Sequence, residues 1–131
     1  MAGAWGDAVI RLEGRRVFVY GEAIDMRKAF EGLGYLVRER MKRNIIEGDL
    51  FVFVGRNRSR MKVLMFDGTG LVLVTKRLEK GRFSTIAELE GREELSAEEY
   101  RLIFAGTRVN FPLGRRAEDF LLGAPSQTIG S

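Results

Sequence analysis

The sequence predicts an α+β fold: a small antiparallel sheet of about four strands, one long helix packed on it and a short C-terminal helix. Three observations carry this expectation. Residues 50–83 read LFVFVGRNRSRMKVLMFDGTGLVLVTKRLEKGRF, three apolar runs joined by links short enough for hairpins. Upstream, apolar residues recur at helical spacing between Met26 and Met41. Downstream, Ser96 with Glu99 three residues later has the form of a capping box.

Residues 1–14 are Gly-rich, with Trp5, Val9 and Ile10 available to dock on a core. The β-branched and aromatic run RVFVY at 16–20 ends at Gly21 and predicts the first strand. The helix is expected over 26–42, with Met26, Phe30, Leu33, Val37 and Met41 on one side and Asp25 as its N-cap. Arg27, Lys28, Arg38 and Lys42 then share a polar arc around Glu31, whereas Arg40 falls in the apolar sector and must snorkel or pair. Gly32 and Gly34 weaken this helix but allow close approach to a sheet.

The next three strands are expected at 50–54, 61–66 and 71–76, the last running on as far as 79. Both links are short, so these strands pair antiparallel. Their near-continuous hydrophobicity predicts that both faces of the sheet are covered. Residues 84–95 form a polar, acidic connector. Tyr100, Ile103 and Phe104 supply the apolar side of the capped helix, and Gly106 stops it. The domain is expected over 1–110, with 111–131 a C-terminal extension, partly docked through Phe120, Leu121 and Leu122 or flexible.

Composition narrows the chemistry. The 131 residues suit one domain. There is no Cys and no His, which removes disulfides, Cys/His zinc sites, thiol nucleophiles and imidazole triads. The N-terminal stretch has no secretory apolar region, and no run is long enough to span a bilayer, so a cytoplasmic location without membrane attachment is expected. Charge is unevenly distributed. Residues 1–83 hold 17 Lys and Arg against 10 Asp and Glu, a balance of +7, whereas residues 84–131 balance at −3. A basic region of this kind suits a polyanionic partner, although an Arg-rich solvated surface has the same composition.

Three acids stand near the basic segments. Asp67-Gly-Thr-Gly resembles an aspartic-protease loop, but the chain has no second copy of the motif, and a turn between strands explains it. Asp25 suits a cap, and Glu79 is flanked by Arg77 and Lys80. No restriction-nuclease triplet of an acid, any residue and Lys occurs. No catalytic residues, metal ligands or cofactor site are therefore assigned. A metal-dependent nuclease is the least favoured reading.

The candidate binding residues are cations: Arg56, Arg58 and Arg60 in the loop between the second and third strands, Lys76, Arg77, Lys80 and Arg82 at the exit of the fourth, and Arg27 and Lys28 on the helix. Such residues neutralise phosphates, giving affinity and orientation with little sequence information. Phe83 adds a ring on which a base could stack.

The order of these motifs resembles a family of mobile-element proteins. Asp25-Met-Arg-Lys-Ala-Phe-Glu-Gly-Leu33, Gly48-Asp-Leu-Phe-Val-Phe53, Gly55-Arg56, Lys62-Val-Leu64, Asp67-Gly-Thr-Gly-Leu71 and Lys76-Arg-Leu-Glu-Lys-Gly-Arg-Phe83 are similar to the TnpB accessory proteins of insertion sequence 66 (IS-66) elements. These differ from the RNA-guided nucleases that share the name. The resemblance covers residues 17–106; Met65 stands where the family often has an aromatic residue. It implies a non-catalytic role in transposition beside a separate transposase. DNA and that transposase are the partners it points to, with self-association as a further expectation. The alternative is a protein–protein adaptor without direct DNA contact, motivated by the apolar surface of LFVFV and LVLV.

Overall fold

A computed structural model describes residues 12, 14–83 and 92–106. The expected docking of Trp5, Val9 and Ile10, the extension at 111–131 with Phe120, Leu121 and Leu122, and most of the acidic connector lie outside the described residues.

The fold is α+β, with a mixed five-stranded sheet in the order β4-β3-β2-β1-β5. The strands are β1 (Val17–Val19), β2 (Leu50–Val54), β3 (Arg60–Phe66), β4 (Leu71–Arg77) and β5 (Glu94–Leu95). The two short links give antiparallel pairing of β2 with β3 and of β3 with β4. The all-antiparallel expectation fails at β1, which pairs parallel to β2 with Val17 beside Leu50. The connection between them carries a helix across one face of the sheet and returns the chain in its original direction. The fifth strand was hidden in the acidic connector. It is two residues long and antiparallel to β1, and Glu94 reaches Arg16 through two bonds of 2.8 and 2.9 Å.

The helix is shorter than its apolar periodicity suggests. It comprises α1 (Phe30–Tyr35) and a π-helical continuation over Leu36–Arg40, eleven residues in all. Asp25 is not its cap. The Asp25 carboxylate accepts from the Arg27 backbone N–H at 2.9 Å, and Lys28 N–H donates to Asp25 C=O at 3.0 Å, closing a separate turn. The carbonyls of Met26 and Lys28, which a helix would use, instead accept from Lys62 Nζ at 2.8 and 2.6 Å. Ala29, at φ −131° and ψ −147°, lies outside the helical region and immediately precedes the first helical residue. The wide turn that follows joins Met41 N–H to Leu36 C=O at 2.9 Å and rotates Arg40 out of the apolar sector into solvent.

Alternation along the strands sorts side chains to two covered faces. Phe18, Phe51, Phe53 and Leu64 pack under Ile24, Leu33, Leu36 and Val37 of the crossover. On the other face Val17, Val19, Leu50, Val52, Met61, Val63 and Met65 meet Leu12, Phe83, Leu95, Tyr100 and Ile103. Burial on both sides explains the unbroken apolar runs, each such side chain contributing about 1.5–3 kcal/mol relative to exposure. The last two contacts come from α2 (Ala97–Phe104), which opens on the expected capping box: Ser96 Oγ accepts from Glu99 N–H, and Glu99 Oε1 accepts from Ser96 N–H.

The Asp67 motif is a turn, as its flanking strands predict. Asp67 Oδ1 accepts from Thr69 N–H at 2.9 Å, Gly70 N–H at 3.0 Å and Thr69 Oγ1 at 3.1 Å, while Gly68 takes φ +109°. These bonds hold the carboxyl below its ordinary range.

Candidate nucleic-acid interface

Antiparallel pairing brings three strand ends to one end of the sheet: the exit of β2 at Val54, the entry of β3 at Arg60 and the exit of β4 at Arg77. The loop at 55–59 closes through Gly55 N–H to Arg60 C=O and Arg58 N–H to Gly55 C=O, both 3.0 Å. Inside it Asn57 Oδ1 accepts from Ser59 N–H and Oγ at 3.2 and 3.0 Å. Arg58 takes φ +64° to make the turn.

Two further segments are tied to this loop. The chain leaving β4 runs beside it, with Leu78 N–H donating to Ser59 C=O at 2.8 Å and Phe83 N–H to Arg58 C=O at 2.7 Å. Ile24 bridges to Gly55, so the Asp25 turn also sits here, held to β3 by Lys62. Fold topology therefore gathers Arg27, Lys28, Arg56, Arg58, Arg60, Arg77, Lys80 and Arg82 at one end of the sheet, although they span 56 positions of sequence.

The Arg27 and Arg77 pairings at this end are local and exposed. Arg27 Nη2 lies 2.7 Å from Asp25 Oδ2, and that guanidinium holds the Asp25 carboxyl well below the usual range. Arg77 Nη2 lies 3.3 Å from Glu79 Oε2. Arg60 and Arg77 are direct cross-strand partners. Among the described residues Arg56, Arg60, Lys80 and Arg82 have no ion pair. Cations elsewhere have structural tasks: Arg15 Nη1 donates to Gly48 C=O at 2.7 Å and Phe66 C=O at 3.1 Å, Arg16 pairs with Glu94, and Arg43 lies 3.8 Å over the Phe18 ring.

Several site expectations change. Lys76 is separated from the cluster: its Nζ donates to Phe104 C=O at 2.6 Å, at the C-terminal end of α2, and sits 4.5 Å over the Phe104 ring. Partial burial there pushes its pKa down. Arg27 and Lys28 precede the helix instead of riding on it. The four-cation helical arc does not form, since Arg38 pairs with Glu39 at 2.8 Å and Lys42 lies beyond the helix end at φ +59°. Phe83 is buried and offers no stacking face.

Two residues take roles that the sequence reading does not assign to them. Lys62 interrupts the apolar strand between Met61 and Val63, and a cation there needs partners; that was its legible signal. Phe30 shares the apolar periodicity of the helix yet is 43% exposed.

Among the described residues no three acids converge on a metal-sized site. No helix among them is long and apolar enough to cross a membrane. A shallow cleft of about 440 Å³ lined by Tyr20, Gly21, Glu22, Arg40, Met41 and Glu93 holds charges of both signs.

Residues 15–112 match the family described as IS66 Orf2 like protein. Two proteins of Sinorhizobium fredii (strain NBRC 101917 / NGR234) are similar. The protein named uncharacterized protein y4hO is 47% identical over 68 residues, 52% of this chain and 59% of that protein. Uncharacterized protein y4jC is 34% identical over 93 residues, 71% of this chain and 80% of its own. The chain thus spans less than two thirds of the first relative's length. No solved structure matches. The chain belongs to the IS66 Orf2-like family.

Proposed function

We propose that this protein is a non-catalytic transposition accessory that binds nucleic acid, alone or within a transposase–DNA complex, through the cationic end of its sheet. The observation that supports it best is the Arg60–Arg77 pair. Two guanidinium groups directly opposite on a sheet repel, Glu79 as an exposed partner of Arg77 offsets that only in part, and a phosphate backbone passing between them relieves the remainder. The surrounding loop, turn and exit segment add further cations, each one able to replace a condensed counterion.

The adaptor alternative drew on apolar surface expected to remain over LFVFV and LVLV. LFVFV is covered from both sides, which removes that part of the motive, whereas on the edge strand β4 Leu71 is exposed and Val72, Leu73 and Val74 are half-buried, so the motive persists there. Titration of DNA across salt, with and without the cognate transposase, tests the proposal. Direct binding with a steep salt dependence is expected. No binding at low ionic strength, in the presence or absence of transposase, would refute it.

A further inference from the structure

The cations alone do not distinguish duplex from single-stranded nucleic acid. Phe30 does. It is the first residue of α1, two positions after Lys28, and stands where the chain emerges from the turn tethered by Lys62. At about 100° per residue it falls on the same side of the helix as Leu33 and Val37, one turn nearer the basic end. Those two are buried, at 0 and 1% exposure, whereas Phe30 is 43% exposed. The core therefore stops short of it, leaving a large aromatic side chain partly in water beside a cationic surface.

Gly32 completes the local arrangement. A Cβ there would meet Lys28 Cβ and Cγ at 3.3 Å, so the Lys28 stem lies across the helix at Gly32. Gly32 is about 200° round the helix from Phe30, so the lysine stem runs along the first turn on the side away from the ring, and the two residues flank the start of α1 from opposite sides. An aromatic ring within a tract of backbone-neutralising cations is the combination that binds unpaired strands. Every base offers a π-face, while bases in a duplex are already stacked on one another.

We infer that the basic end binds single-stranded nucleic acid in preference to duplex, with an unpaired base stacked on Phe30 and the flanking phosphates on Lys28, Arg60 and Arg77. This rests on the proposed nucleic-acid reading and names its substrate class.

The test is fluorescence anisotropy of the full chain with a labelled mixed-sequence single strand and its duplex, using wild type, Phe30→Ala, Phe30→Leu and Phe30→Tyr. Single-strand affinity is expected to exceed duplex affinity. Phe30→Ala and Phe30→Leu should weaken single-strand binding roughly tenfold and leave duplex binding within about twofold, and Phe30→Tyr should restore it. The log–log salt slope should not change in any of them, since no charge is removed. Phe30→Leu keeps an apolar side chain, so its loss with an unchanged melting curve separates stacking from folding. Equal affinities with no effect of Phe30→Ala would overturn the inference while leaving the cationic reading standing. Loss of both substrates in Phe30→Leu with an unchanged melting curve would also overturn it. Failure of wild type to bind either substrate would overturn both readings.

Discussion

Arg60 and Arg77 occupy directly opposed positions on β3 and β4, on the sheet face that carries α1. Like charges so placed cost the fold a few tenths of a kcal/mol or more. Arg60→Glu converts repulsion to attraction. It should leave stability unchanged or raise it by up to about 1 kcal/mol in urea denaturation. The same variant should bind DNA more weakly, with a shallower salt slope. Lower stability together with unaltered binding would contradict the role given to this pair.

Arg56 lies at the exposed tip of the loop. Arg56→Ala should keep stability within about 0.5 kcal/mol, since no buried partner is lost. Its effect should fall on binding, with the slope of log affinity against log salt reduced by up to about 0.9 on duplex DNA. A lowered melting temperature with an unchanged slope would assign this residue to the fold instead.

Lys76 and Lys62 should behave differently from the surface cations and from each other. Lys76→Met removes a cation from the C-terminal end of α2 at a cost of about 0.3–1 kcal/mol, and the salt slope should stay at its wild-type value. Lys62→Met leaves the carbonyls of Met26 and Lys28 without their donor. A loss of about 1–3 kcal/mol is expected. Binding should also weaken, because the turn that carries Arg27 and Lys28 is released. Wild-type binding by Lys62→Met would show that the tether does not position those cations.

Arg58 tests the loop backbone. At φ +64° any residue with a Cβ is strained. Arg58→Gly should therefore be more stable than Arg58→Ala by about 1 kcal/mol, a comparison in which the arginine side chain is absent from both. Equal stabilities would mean the turn relaxes.

Acid should destabilise the protein through its paired carboxylates. Asp25, Asp67, Glu94 and Glu99 all have depressed native pKa values: Asp25 through Arg27, Asp67 through the backbone N–H groups of its turn, Glu94 through Arg16 and Glu99 through Arg92. A depressed carboxyl contributes stability above its unfolded pKa, near 4, and loses it as pH falls toward the native value. Melting temperature should be flat above about pH 5 and fall below about pH 4. Asp67→Asn retains the turn's acceptor oxygen and should flatten part of that decline.

Elements specified by neighbouring residues were legible in the sequence. The Asp67 turn, the loop at 55–60, the three apolar strands and the Ser96–Glu99 cap depend on contacts within a few positions, and each forms as its residue types require. The cationic character of the loop and the β4 exit was equally plain. Three features depended on residues far apart in the chain. Lys62 removes the carbonyls that would have begun the helix near Met26, so the apolar periodicity there overstates its length. Glu94 finds Arg16 across 78 positions and makes a strand of a segment with little strand character of its own. Lys76 belongs by composition to the basic cluster, but strand alternation turns it toward α2, while Arg77 faces the other way. Local propensity determined which segments could be strands, turns or caps; only the packed sheet decided which charges meet, because hydrogen-bond and ion-pair partners are chosen by distance in space.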